Sequence, residues 1–224
     1  MLLLATDTSG RDGSIALASC GPGDESKIVE LVPLAAGAFS AQLVPEIAAL
    51  LAKHSFTKHH LEAFAVASGP GSFTGLRVGL AAIKAFAEVL AKPIAAVSLL
   101  EAVASESRTP GKILVALDAG RKQVYMGEFA SAGLEARAIS QSLLGREQGF
   151  AAAAHLTLVT PDCELAEAAR ARGLRVEEVR RPQSDLIASL GWQKIRCGET
   201  VSPQELEANY IRRSEAEIFA KNRL

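Results

Sequence analysis

The chain is short of several things at once. Aromatic residues fill only 5% of its 224 positions, cysteines number 3, and the charges nearly cancel, with 24 Lys and Arg against 25 Asp and Glu. Near neutrality removes the broad basic field by which a protein grips nucleic acid unaided, so a nucleic-acid role would need a partner. Cys20, Cys163 and Cys197 are odd in number and lack CxxC spacing. They suggest neither a disulfide framework nor a zinc knuckle, and fit a reducing, cytoplasmic setting. His54, His59 and His60 cluster near a polar loop without HxxxH spacing, and His155 stands apart; they read as surface residues, and no metal site is expected. Long apolar runs are missing too. The longest uncharged stretch, Leu31 to Pro45, holds two prolines and a glycine, and Met1-Leu2-Leu3-Leu4-Ala5 meets Asp7 too early for a signal peptide, so neither a membrane span nor a leader is expected.

What is present is aliphatic. Hydrophobic residues make up 49%, 40 alanines among them, and charged residues 22%, a globular profile with room for one large domain or two small lobes. The charges are uneven: residues 1–100 carry 7 Lys or Arg and 8 Asp or Glu. In that half, strands are expected at Leu2 to Thr6, Ser14 to Ser19 and Lys27 to Val32, with turns at Ser9 to Gly13 and Gly21-Pro22-Gly23. A helix from about Ser40 to Lys53, a strand Ala63 to Ala67, a glycine-rich loop and a helix from about Gly75 to Ala91 follow. Strand Ile94 to Val97 and a helix opened by the capping-box pattern Ser98-Leu99-Leu100-Glu101 complete a β-β-β-α-β-α-β-α order.

The second half restarts with strands Lys112 to Leu117 and Gln123 to Phe129 around Asp118-Ala119-Gly120-Arg121. Helices are expected at Ser142 to Ala154, Pro161 to Arg172 and Gln183 to Arg196, and strands at Leu156 to Thr160 and Leu174 to Val179. This reads as a duplicated α/β architecture breaking near Thr109-Pro110-Gly111: a first lobe over 1–108, a second over 109–204, and a C-terminal helix over about 205–220 packing on the first.

The most specific stretch is Ser68-Gly69-Pro70-Gly71-Ser72-Phe73-Thr74-Gly75-Leu76-Arg77-Val78-Gly79-Leu80, leaving a strand and entering a helix. Glycines there allow either close backbone packing or approach of an anion to the helix N-terminus. A Walker loop fails, because the one Gly-Lys pair, Gly111-Lys112, is followed by Ile113. Gly69, Gly71 and Gly75 approach a dinucleotide fingerprint, but the next strand ends at Val97-Ser98 with no acidic ribose ligand. Gly71-Ser72-Phe73-Thr74-Gly75 is not the GxSxG elbow, which argues against a peptidase. On a helical wheel Arg77, Lys84 and Glu88 share one stripe, and Gly75, Gly79, Ala82 and Phe86 form a small-residue seam opposite, flanked by Leu80 and Ile83. The Ser40 helix is similarly poor in charge, with only Glu46 and Lys53. Either both helices are sandwiched inside the monomer, or their surplus apolar surface meets a partner.

Asp7-Thr8-Ser9-Gly10 ends the first strand, and Asp118-Ala119-Gly120 the first strand of the second half. Two such loops can hold a metal-bound phosphate across a cleft, as in the actin, sugar-kinase and heat-shock ATPase superfamily, or can be ordinary Asx turns. The adjacent glycines that usually complete that nucleotide site are absent.

Asp7-Thr8-Ser9, Ser40-x-x-Leu43-x-Pro45, the Gly69 to Leu80 stretch, Ser98-Leu99-Leu100-Glu101-Ala102, Asp118-Ala119-x-Arg121-x-x-Val124-Tyr125 and Tyr210-Ile211-Arg212 together resemble the TsaB (YeaZ) family, nearly end to end. The resemblance implies two ribonuclease-H-like lobes of the actin-like type and a noncatalytic subunit of the complex that makes N6-threonylcarbamoyladenosine beside the tRNA anticodon. In that family TsaD carries the metal and transfers the threonylcarbamoyl group, TsaE is an ATPase partner, and TsaB holds TsaD, or a second copy of itself, through two N-lobe helices. Carried over, the interface would comprise Ser40, Leu43, Pro45, Ile47, Gly71, Ser72, Phe73, Thr74, Gly75, Arg77, Gly79, Leu80, Ala82, Ile83 and Phe86. Asp7, Thr8, Ser9 and Asp118 are the nucleotide-binding candidates, with no catalytic or metal residue. No cofactor is expected to bind independently, ATP or ADP being placed at the partner interface, and tRNA would be met only through the complex. Phe39 stands where the family often has His, Gly120-Arg121 where it has Arg-Arg, and Ala208-Asn209 replace the common Pro-x. The rival expectation is an independent ATPase or kinase built on Asp7, Thr8 and Asp118.

Overall fold

The computed structural model describes residues 1–22, 25–132, 135–209 and 211. The chain divides into two compact units, Met1–Ala102 with Pro182–Ala208, and Val103–Arg181 with Asn209–Leu224.

The first unit opens with β1 (Leu2–Asp7), β2 (Gly13–Cys20) and β3 (Ser26–Leu34), an antiparallel meander. Every residue of β1 is buried, as a strand covered on both faces requires, which explains its unbroken apolar run. Next come α1 (Phe39–Lys53), a short 3-10 turn at Lys58–His60, β4 (Leu61–Gly69), α2 (Phe73–Leu90), β5 (Ile94–Ser98) and α3 (Leu99–Ser105). β4 and β5 run parallel to β1, giving the order β3-β2-β1-β4-β5. Leu4, Phe64, Val66 and Ile94 point to one face and join Leu43, Ile47, Leu76 and Ile83 of the two long helices in a single core.

The second unit repeats this plan. β6 (Gly111–Asp118), β7 (Gln123–Ala132) and β8 (Glu135–Gly145) form an antiparallel meander, followed by α4 (Arg146–Ala152), β9 (Thr157–Thr160), α5 (Cys163–Arg170) and β10 (Val176–Glu178). The order β10-β9-β6-β7-β8, with β9 parallel to β6 and β10 to β9, is the first sheet's order again. Each unit is thus a ribonuclease-H-like α/β lobe, with the same strand order in both sheets.

Three expectations are corrected. Residues 142–145 extend β8 instead of opening a helix, because Ser142 and Leu144 pair with Met126 and Val124 of β7 and Leu144 packs on the second core; pairing and packing override the local pattern. The last helix, α6 (Ser184–Arg196), lies within the first unit, not in a 109–204 lobe. It covers the sheet face opposite α1 and α2, where Gly191 sits against the Cβ atoms of Ala65 and Ala95, a fit that any side chain at 191 would spoil. The Ser98 capping box does not form: Ser98 Oγ has no hydrogen-bond partner and Glu101 instead pairs with Lys194 of α6 at 2.9 Å. Of the helix expected over 205–220, residues 205–209 and 211 are not helical, and the rest lies outside the described residues, as do Gly23, Tyr210 and Arg212. Among the described residues no helix is long and apolar enough to cross a membrane.

Candidate functional site

The glycine-rich segment is built against the first turn of the chain. Asp7 ends β1, and one of its carboxylate oxygens, Oδ1, accepts from the Ser9 N–H at 2.9 Å and from Ser9 Oγ at 2.5 Å. Thr8 Oγ1 donates to the carbonyl of Gly75 at 2.7 Å, and the Ser72 N–H donates to the Ser9 carbonyl at 2.6 Å. Ser72 caps α2, its Oγ accepting from the Gly75 N–H at 3.3 Å, which satisfies one of the helix's orphan donors. A Cβ on Gly75 would collide with the Thr8 carbonyl, one on Gly79 with Thr8 Oγ1, and one on Gly71 with the Ser9 carbonyl. These glycines therefore serve close packing of α2 on the β1–β2 turn. Asp7, Thr8 and Ser9 are all buried: Thr8 and the Ser9 carbonyl hold the start of α2, and Asp7 holds Ser9.

The seam assigned to a partner is likewise turned inward. Leu43, Ile47, Gly75, Gly79, Leu80 and Ile83 lie in the core of the unit, and Gly71, Ala82 and Phe86 are half-buried, so these positions are corrected from surface to packing. Phe39, at the departure from the family's usual histidine, is buried, with its ring on Gly13. Ser40, Pro45, Ser72, Phe73, Thr74 and Arg77 are exposed as expected of an interface. Beside them lie Val89, which belongs to the apolar arc read on the helical wheel, and positions the sequence reading missed: Ala41, Val44 and Ala48 on α1, and Ala81 and Ala85 on α2. Val44, Phe73 and Val89 are 52%, 42% and 74% exposed. The signal was available on the wheel, since Ala81 and Ala85 flank the Arg77–Glu88 charge stripe that marks the outer side.

The outer face of α1 and α2 thus carries small and aliphatic side chains beside the charge stripe of Arg77, Lys84 and Glu88. The Arg77 guanidinium lies 3.7 Å over the Phe73 ring, a stacking that orders both side chains. At the far end of α1, Lys53 donates to Glu30 Oε1 at 2.6 Å and His54 Nε2 lies 2.7 Å from Oε2. The hydrogen bond from Lys53, then that from His54, hold the Glu30 carboxyl below its ordinary value.

Asp118 belongs to the other unit. Its backbone N–H donates to Asp162 Oδ2 at 2.7 Å, and its carboxylate takes Arg146 at 3.1 Å and the Gly120 N–H at 3.3 Å. Asp162 is also paired with Arg181. This is the Asx-turn reading of that loop, closed by ion pairs. Among the described residues no group of three or more His, Cys, Asp and Glu is placed to hold a metal ion.

A family model described as tRNA N6-adenosine threonylcarbamoyltransferase, TsaD, matches residues 32–162. The tRNA threonylcarbamoyladenosine biosynthesis protein TsaB of Escherichia coli is 26% identical over 228 residues, covering 96% of both chains. The Bacillus subtilis protein of the same name is 37% identical over 130 residues, 58% of this chain and 55% of that one. YeaZ from Pseudomonas aeruginosa superposes with a TM-score of 0.73 at 23% identity, covering 93% of this chain and 100% of that structure, a likeness of fold.

Proposed function

We propose that this chain, which belongs to the TsaB (YeaZ) family and shares its role in threonylcarbamoyladenosine modification of tRNA, acts there as a noncatalytic scaffold. It holds a TsaD-like paralogue through the outer face of α1 and α2, works beside a TsaE-like ATPase, meets tRNA only through that complex, and pairs with its own copy on the same face when alone. The carrying observation is that face itself. Ala41, Val44, Pro45, Ala48, Phe73, Ala81, Ala85 and Val89 are exposed on two adjacent helices, and exposed apolar side chains gathered in this way support a protein interface. Small residues let a partner helix approach closely, and the stacked Arg77–Phe73 pair supplies a rigid aromatic and cationic anchor of the type that dominates interface energies.

The internal use of Asp7, Thr8 and Ser9 supports the scaffold reading over an independent ATPase. Any ATP or ADP belongs, on this reading, to the assembled interface. The test is reconstitution: threonylcarbamoyl transfer to tRNA is measured with a TsaD-like and a TsaE-like protein, with and without this chain, alongside co-elution of the chain with the TsaD-like protein. Modification that depends on the chain, with co-elution, is expected; full modification in its absence would overturn the proposal.

A further inference from the structure

The second unit gathers positive charge at one end of its sheet. The chain leaves β6 for β7 on one side, while β9 runs parallel to β6 on the other; the C-terminal strand ends at such a switch point are where open α/β sheets take ligands. Asp118 closes β6 and Asp162 follows β9, and the Asp118 N–H donates to Asp162 Oδ2 at 2.7 Å. Each carboxylate holds an arginine: Arg146 lies 3.1 Å from Asp118 Oδ1, and Arg181 is paired with Asp162. Arg121 and Lys122 stand in the turn from β6 to β7, the Lys122 carbonyl accepting from the Arg146 N–H at 2.9 Å. Four cations thus meet two carboxylates. Of the acidic residues next in sequence, Glu147 is neutralised by Arg172 at 2.5 Å, and even with Glu164 of α5 counted the patch stays net positive.

Arg121, Lys122 and Arg181 are exposed, and Arg146 is half-buried. A guanidinium carries five donors in a fixed fork, and both arginines commit Nη2 to their carboxylates, so the acids orient the forks without consuming them. Gly120, Arg121 and Lys122 all have positive φ, at 68°, 53° and 59°. Only the first is a glycine, and for the other two the left-handed region is strained. Strain kept in a surface turn whose side chains are exposed points to use of that turn.

We propose that Arg121, Lys122, Arg146 and Arg181 form a docking patch for the phosphate backbone of RNA. Exposed cations drawn from three segments suit a run of phosphodiesters, each met singly and without reading sequence. The inference rests on the scaffold reading, in which tRNA is met inside the complex: four contacts are too few for firm binding by the chain alone, but they add to those of the assembly.

The test uses the full chain in the reconstituted transfer with TsaD-like and TsaE-like proteins, with tRNA titrated at several salt concentrations. Arg121→Gln combined with Lys122→Gln should raise the KM for tRNA about tenfold with kcat unchanged, and should flatten the salt dependence by about two contacts. Arg181→Gln, on a different segment, should act in the same direction and takes over if the turn variant folds poorly. The control is Lys112→Gln, which removes a charge at the other end of β6, where Lys112 is paired with Glu128 at 3.1 Å, and should leave KM as it was. An unchanged KM and salt dependence in a variant that still co-elutes with the TsaD-like protein overturns the patch and leaves the scaffold reading standing. Equal effects of Lys112→Gln and Lys122→Gln overturn it too, since net charge alone would then be at work. Binding of ATP that is lost in Lys122→Gln while tRNA binding is kept would assign these cations to a nucleotide's phosphates and overturn it as well. Transfer that does not need the parent chain at all would overturn both readings together.

Discussion

Thr8 and Gly75 are interlocked: the Thr8 hydroxyl donates to the Gly75 carbonyl at 2.7 Å while the Thr8 carbonyl occupies the space a Cβ on Gly75 would need. The turn after β1 is thereby keyed into the first turn of α2, and the helix that carries the candidate interface is positioned by residues that never reach it. Gly75→Ala must push main chain against main chain, and a loss of more than about 2 kcal/mol is expected from overpacking at such a site. Thr8→Val keeps the shape but removes the donor, which should cost about 1 kcal/mol. Urea unfolding midpoints of the two variants would check both values, and their order is the sharper test.

The outer face can be probed without touching the core. Ala81 and Ala85 are exposed on α2, and arginine is nearly as good a helix former as alanine, so Ala81→Arg or Ala85→Arg should change stability by no more than about 0.5 kcal/mol. Either should abolish co-elution with a TsaD-like protein, because a long charged side chain would be buried unpaired in an apolar contact. Gly79→Arg, in contrast, drives a side chain into Thr8 and should unfold the unit, so its failure to bind would carry no information. Retained co-elution by a folded Ala85→Arg variant would remove the face from consideration.

Much of this was legible in the sequence. The unbroken apolar run of Leu2 to Ala5, the turn residues after Asp7 and the long charge-poor periodicities around Leu43 and Leu80 place β1, α1 and α2 within a residue or two. What failed was sidedness and partnership. The wheel separates Gly79 from Arg77 correctly, but does not say that the glycine seam fits a turn of the same chain, since Thr8 lies far away in sequence. The same limit applies to Asp7-Thr8-Ser9, whose residue types suit a phosphate as well as they suit a helix terminus. For α6 the helix is readable and its placement is not, because Gly191 finds Ala65 and Ala95 only in three dimensions. In β8, Ser142 to Gly145 have no strong local preference, and the ladder with β7 decides them.

Burial pushes the Glu177 carboxyl of β10 up, but hydrogen bonds from the Arg108 N–H, the Ser107 hydroxyl and Thr109 outweigh it and hold it below its ordinary value, which gives a pH dependence of defined sign. A carboxylate that is more acidic folded than unfolded contributes stability that is present above its unfolded-state pKa and is lost as pH falls through the lower, folded-state value. The second unit should therefore lose part of its stability on the acid side of the ordinary carboxylate range. Glu177→Gln should be less stable than the parent at neutral pH, and the difference should shrink as pH falls through that window. Thermal melts of both proteins across pH are the measurement, and a difference that does not depend on pH would contradict the assignment of Glu177 as the titrating group.

The docking of α6 should depend on two serines 170 positions apart in sequence. The first N–H of α6, at Ser184, donates to Ser14 Oγ at 2.9 Å; Ser184 Oγ donates to the Ser14 carbonyl at 2.7 Å, and the two hydroxyls lie 2.9 Å apart, all of it buried. A helix's first N–H groups have no partner within the helix, and here a strand side chain supplies one. Ser14→Ala leaves that donor buried and unpaired, which should cost about 1–3 kcal/mol, whereas Ser184→Ala also removes its own hydroxyl and leaves the N–H in the same difficulty only if Ser14 turns away, so about 1 kcal/mol is expected. The double variant should lose less than the sum of the two, since the groups share one network. Trp192, the chain's 1 tryptophan, is buried on α6, so its fluorescence reports the docking directly. In Ser14→Ala the emission should shift to the red at lower urea than the loss of sheet seen by circular dichroism. Coincident transitions in that variant would mean that α6 is held by its apolar face alone and that the serine pair adds nothing to its docking.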